Sequence, residues 1–432
     1  MSHKNGSFSS SLGFVLACVG SAVGLGNIWM FPYRLGQYGG AAFLVPYIFF
    51  VVLFGLTGLS AEFAIGRRAR TGTLGSYELC WGDGQKDGFR KTVGKAIGWI
   101  PLIGSLGIAI GYSIIIGWVL RSFAGSLTGS ILNTDSAEYF SQVTGSFGSL
   151  PWHIAVVLIT MLILLTGSVT QIEKANRIMM PVFFVLFAVL AVRVCFLDGA
   201  GAGYRFLFVP KWEQLKNVDT WVMAMGQAFF SLSITGSGMI VYGSYLNKDT
   251  DIIGASMRTV GFDTVAAMLS ALAIMPAVFA FGIEPNSGPS LMFITIPKIF
   301  SQMPMGQFFS AIFFLSVVFA GITSLINMFE AVIESWQHKF DIPRRLAVAL
   351  CGIICLGIGV FLEPEAYVGS WIRWGTGWIL SPLLSPLSAL CWEPYRFTMY
   401  SDTGKSGKSW KPAERHLFPA GLEEWPDICM YR

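Results

Sequence analysis

Residues 20–27 read Gly20-Ser21-Ala22-Val23-Gly24-Leu25-Gly26-Asn27, midway through an apolar run from Leu12 to Tyr33. Each of the three glycines weakens a helix by ~1 kcal/mol relative to alanine. Within a bilayer, unwound backbone is stable only where protein buries it or where it lines a cavity. The spacing therefore predicts a spanning helix broken near its middle. Free amides at a half-helix N-terminus suit a carboxylate, and free carbonyls suit a hard cation such as sodium. Residues 20–27 are then half of a binding site, whose other half must come from elsewhere in the chain.

The rest of the chain reads as membrane protein. Hydrophobic residues make up 53% and charged residues 12%, with a mean hydropathy of +0.60. Soluble domains carry roughly 25% charge. At ~20 residues per span, the 432 residues hold about ten helices with short loops. The expected class is an all-α polytopic membrane protein. Its net charge of +4 is informative through its placement, not as a nucleic-acid signal. The first residues lack a basic segment followed by a small-residue cleavage site, so the first helix is expected to act as its own targeting signal. The seven cysteines form no CxxC pair, and with four dispersed histidines there is no metal-site spacing. No nucleophile–base pair or phosphate loop is evident. An enzyme, an organic cofactor and a nucleic-acid partner are therefore not expected.

Hydropathy places helices at 11–35, 41–66, 96–124, 152–169, 178–198, 219–245, 256–283, 305–338, 345–362 and, in degenerate form, 366–392. A loop with short helical pieces is expected at 287–303. Clusters at Arg67, Arg68 and Arg70, at Lys86, Arg90, Lys91 and Lys95, at Lys174 and Arg177, at Lys248 and Arg258, and at Lys339, Arg344 and Arg345 all fall on one side of the membrane. By the positive-inside rule that side is cytoplasmic, and so is the N-terminus.

A second break lies in the sixth helix, at Phe230-Ser231-Leu232-Ser233-Ile234-Thr235-Gly236-Ser237-Gly238. The first and sixth helices cross in opposite directions, which is the trace of an inverted five-helix repeat with a site between its halves. The expected organisation is a cytoplasmic N-terminus at 1–10, a first repeat at 11–198, a second at 199–392 and a polar cytoplasmic tail at 393–432. Asn27, Ser231, Ser233, Thr235, Thr323 and Ser324 offer oxygens near the breaks, although any one hydroxyl also suits close helix packing. Glu62 and Asp263 lie within spans, where acids are costly and usually functional. Asp263 suits a cation or a proton relay. Glu62 suits amides freed at a break, or a place at the interface. Tyr112 is either a gate above a cavity or a packed aromatic.

The run Gly20-Ser-Ala-Val-Gly-Leu-Gly-Asn-Ile-Trp-Met-Phe-Pro-Tyr33 closely resembles the neurotransmitter:sodium symporter family, whose bacterial members carry amino acids. So do Gly39 to Tyr47, Glu62 to Arg67, Gly111-Tyr112 through Trp118, Gly226 to Ser233, Tyr242 to Tyr245 and Phe319 to Ser324. The resemblance spans ~8 to ~370 and implies the leucine-transporter-like fold. It implies an amino-acid substrate bound with two sodium ions. The carboxylate would lie near Ala22, Gly24 and Gly26 and meet Tyr112. The amino group would face carbonyls of Ala22, Phe230 and Ser231. One sodium would take Ala22, Asn27, Ser231 and Asp263 together with the substrate carboxylate, coupling ion to substrate. The other would take carbonyls of Gly20, Val23 and Ala320 and the hydroxyls of Thr323 and Ser324. Ile108, Phe230, Ser233, Gly236 and Met328 would line the side-chain pocket, and Ser324 would border it. Phe230 and Tyr112 would form an outer lid.

Several positions depart from the family pattern. Met30 stands where a gating arginine is common, with Arg34 one turn on. Asn5 and His338 stand where the cytoplasmic gate pairs an arginine with an acid. Ala267 replaces the serine of chloride-dependent members, and Asp263 replaces an asparagine, so a fixed carboxylate would supply chloride's charge. Gly236 enlarges the pocket and Met328 is flexible and apolar. After about Ser370 the pattern is lost, and one reading is a frame change near Trp371. The expectation is sodium-coupled, chloride-independent symport of a neutral, hydrophobic or aromatic amino acid across the cell membrane. A non-transporting amino-acid sensor and a proton-coupled carrier are the alternatives.

Overall fold

The computed structural model describes residues 7–82, 88–145, 147–165, 169–234, 236–282 and 291–363, and among them every regular element is helical. The first span is two pieces, α1 (Ser11–Ala22) and α2 (Gly26–Gln37), bent by 54° at the break. Then come α3 (Ala41–Ala69), α4 (Gly88–Thr128), α5 (Leu150–Leu165) and α6 (Val169–Cys195). The sixth span is likewise two pieces, α7 (Val218–Ser231) and α8 (Gly238–Ser244). The series closes with α9 (Ile252–Ala280), α10 (Gly306–Phe340) and α11 (Arg344–Leu362). Helices thus stand at nine of the ten expected positions among the described residues, and six of them, or seven with the bent first pair, are long and apolar enough to cross a membrane. The expected tenth helix and the polar tail lie outside them.

Both expected breaks are real. At the first, Val23 leaves α1 with extended backbone, and the chain re-enters through a π-helical turn, Gly26–Met30. Such turns are rare and frequent at functional sites. At the second, Ser233 and Ser237 both adopt left-handed backbone, at φ 53° and 68°. That conformation is costly for residues other than glycine and persists only where the surroundings enforce it. The neighbour that bridges the two sides of this break is α3. Its first part, Ala41–Phe54, packs on α7, and its last part, Ser60–Ala69, packs on α8, splinting the broken span. Close approach makes this possible, because a Cβ on Gly243 would lie 2.8 Å from Phe63 backbone. Glu62 lies in this splint and is buried.

Helix ends differ from the hydropathy reading in a consistent way. The third helix begins at Gly88 rather than 96 and the fifth at Val169 rather than 178. Arg90, Lys91 and Lys95 in one extension, and Glu173, Lys174 and Arg177 in the other, are good helix formers that hydropathy rejects. The helices simply continue beyond the apolar layer. The expected loop at 287–303 carries a helix, Leu291–Ser301. α3 presents Val45, Ile48, Phe49, Val52 and Leu53 outward, an apolar stripe at helical spacing suited to lipid. The core lies on the other side, where α4 and α10 form the most extensive helix pair and line the space between the breaks.

Candidate functional site

Two glycines set the geometry of the first break. A Cβ on Gly24 would stand 2.5 Å from the Tyr112 hydroxyl and 2.7 Å from Ser324 Oγ. A Cβ on Gly26 would stand 2.8 Å from the Phe230 ring. Only bare backbone fits between these side chains. Tyr112, from α4, accepts a hydrogen bond from the freed Leu25 amide at 2.9 Å. Its own proton is left for another acceptor. The Gly24 amide donates to Asn27 Oδ1 at 3.1 Å.

Below the π turn lies a cluster built on a carboxylate. Asp263 is fully buried on α9. It accepts from Asn27 Nδ2 at 2.8 Å and from Ser231 Oγ at 2.9 and 2.7 Å. Asn27 Nδ2 also lies 3.1 Å from Ser231 Oγ and 3.2 Å from the Asp263 carbonyl. Its described partners are all neutral donors, and no basic side chain pairs with it among the described residues. A buried carboxylate of this kind is stable only with a counter-charge or several strong donors. Gln227 adds an unanticipated member by donating to the Gly26 carbonyl at 2.9 Å.

A second oxygen cluster surrounds Ser324 on α10. Its Oγ lies 3.3 Å from each of the Gly20, Ser21 and Val23 carbonyls and 3.1 Å from that of Ala320. One hydroxyl has one proton, and although Ser233 Oγ also reaches the Ser21 carbonyl at 3.1 Å, the Gly20 and Val23 carbonyls share that single proton. Thr323 Oγ1 joins at 3.0 Å from the Ala320 carbonyl. Such a convergence of uncharged oxygens suits a hard cation.

Between the breaks is a cavity of about 50 Å³. Ten of the expected substrate residues line it: Ala22, Gly24, Gly26, Ile108, Tyr112, Phe230, Ser233, Gly236, Ser324 and Met328. Ser231 instead turns to Asp263. Space beside Gly236 is open, since an added Cβ would meet only the Ser233 carbonyl, at 3.4 Å. Ser21, Ser105, Ile234 and Asn327 also line the cavity, and the sequence reading gave none of them a role. None of the described lining residues carries a charge.

The expected gates fare differently. Met30 is half-buried. Arg34 is buried and donates to the Met223 carbonyl at 3.3 Å. Asn5 lies outside the described residues, and His338 sits in the last turn of α10.

A family model described as the sodium:neurotransmitter symporter family matches residues 5–140 and 133–371. The chain is 34% identical over 372 residues to an uncharacterized sodium-dependent transporter, YhdH, of Bacillus subtilis, covering 83% of this chain and 80% of that one. It is 26% identical over 435 residues to the sodium-dependent neutral amino acid transporter B(0)AT1 of Rattus norvegicus, covering 80% and 67% respectively. Among solved structures it is similar to MhsT in complex with L-phenylalanine, with a TM-score of 0.76, 30% identity, and coverage of 92% of this chain and 98% of that one.

Proposed function

The chain belongs to the sodium:neurotransmitter symporter family, and from that premise we propose that it carries a neutral, hydrophobic or aromatic amino acid with two sodium ions by alternating access. It is a multi-pass membrane protein of a sodium-dependent transporter family, and its relatives are transporters rather than enzymes. One observation carries the finer reading. The Asn27–Ser231–Asp263 cluster adjoins an uncharged cavity between two broken helices.

The amino acid would lie in that cavity, its carboxylate toward the first break and the Tyr112 hydroxyl, its side chain toward Ile108, Gly236 and Met328. Phe230, resting on Gly26, would close over it. One sodium would take Asp263, Asn27, Ser231 and the Ala22 carbonyl. Turning the Asn27 amide over would present its oxygen. A second sodium would take the Gly20, Val23 and Ala320 carbonyls with Thr323 and Ser324. The uncharged lining and the L-phenylalanine held by the structural relative support an apolar side chain. Residues 11–198 and 199–392 would form the inverted halves, in the cell membrane with the N-terminus cytoplasmic.

Asp263 supplies a fixed negative charge, and buried Ala267 one turn on has no hydroxyl to hold an anion. Uptake is therefore chloride-independent. The test is uptake into proteoliposomes with a panel of amino acids, with and without sodium, and with chloride replaced by gluconate. The expected result is sodium-dependent uptake of apolar amino acids, unchanged in gluconate. Preference for acidic or basic substrates, or a need for chloride, overturns the corresponding part.

A further inference from the structure

α6 supplies none of the ion ligands named above, yet one of its side chains meets the Ser324 cluster. Asn176 is fully buried. Its Nδ2 donates to the Ile172 carbonyl at 2.8 Å, while its Oδ1 has no hydrogen-bond partner. A Cβ on Gly20 would lie 1.8 Å from Asn176 Oδ1 and 3.1 Å from Thr323 Cβ, which bounds those two atoms to within about 5 Å of each other. The orphaned amide oxygen thus stands where α1, α6 and α10 meet, beside Gly20 and Thr323.

Packing alone does not account for it. An apolar side chain of the same shape would fill the space without leaving a buried acceptor unpaired, which costs free energy. An amide oxygen beside a cluster of other uncharged oxygens is a fit ligand for a hard cation. We propose that Asn176 Oδ1 is an oxygen ligand of the sodium ion at the Gly20–Val23–Ala320–Thr323–Ser324 cluster, so that α6 forms a third wall of that site. This rests on the sodium reading given above.

The experiment uses the purified full chain and titrates binding of radioactive sodium, alongside thermal unfolding in sodium-free buffer. Asn176→Leu should raise the half-saturating sodium concentration about tenfold and leave sodium-free stability equal or higher. Asn176→Asp should lower the half-saturating concentration. An unchanged sodium titration with lowered sodium-free stability assigns Asn176 to packing and overturns the proposal. Should Asn176→Leu fail to fold, Asn176→Ser decides, weaker sodium binding supporting the ligand and unchanged binding overturning it. A wild-type chain that binds no sodium at all overturns the sodium reading, and this inference with it.

Discussion

The two oxygen clusters hold their atoms by different means. The Asp263 cluster is made largely of side chains, from α2, α7 and α9, around a formal negative charge. The Ser324 cluster is made mainly of backbone carbonyls from one end of α1, gathered by the Ser324 hydroxyl of α10, and carries no formal charge. The first stands or falls with single side chains. The second stands or falls with the course of the backbone. A cation in the first would be held by charge, whereas in the second it would be held by the shape of a helix end.

The largest effect tests that contrast directly. Asp263→Ala removes the charge and should abolish sodium-dependent uptake, a loss of about a hundredfold or more given the ~3–5 kcal/mol of a buried charged partnership. Retained sodium dependence would show that the carboxylate is not what holds the ion. Next is Gly24→Ala, which should cost both substrate and sodium binding about tenfold or more, because the new methyl drives into Tyr112 and Ser324. Normal affinities would mean that the break relaxes freely and that backbone course does not define the second cluster.

Ser324→Ala should be milder. Most of its cluster is backbone, so half-saturating sodium should rise about five- to tenfold while substrate affinity at saturating sodium changes little, for a loss of about 1 kcal/mol. A loss as severe as that of Asp263→Ala would erase the contrast. The smallest effect is expected at Gly236→Ala. The added methyl meets open space, so uptake should persist and competition should shift about two- to fivefold toward smaller apolar amino acids. An unshifted competition profile would place the side chain elsewhere in the cavity.

Both breaks were legible because their signal is local. Glycine, serine and threonine interrupt apolar runs, and no packing partner is needed to see it. Asp263 was legible for the same reason, as an acid within a span. The pocket lining was legible through the family resemblance. Asn176 and Asn327 were not, because a single amide in a helical sequence has no periodicity and gains meaning only when a distant helix is set against it. Gln227 lay inside a recognised motif, yet its bond to Gly26 depends on how two broken helices meet. Arg34 stands one turn from the expected gating position, and its bond to the Met223 carbonyl was not legible because it joins two helices far apart in sequence. The helix starts at Gly88 and Val169 escaped because hydropathy measures the apolar layer, not the helix.

The 41 residues of α4 have a mechanical consequence. At 1.5 Å per residue the helix is roughly 60 Å long, about twice the hydrocarbon thickness of a bilayer. Such a rod must lean steeply or stand proud of the membrane, and it packs extensively against α10. Tyr112 sits partway along it and accepts from the freed Leu25 amide at the first break. A label at each end of α4 would therefore give a ruler against which any movement of the broken helices is measured.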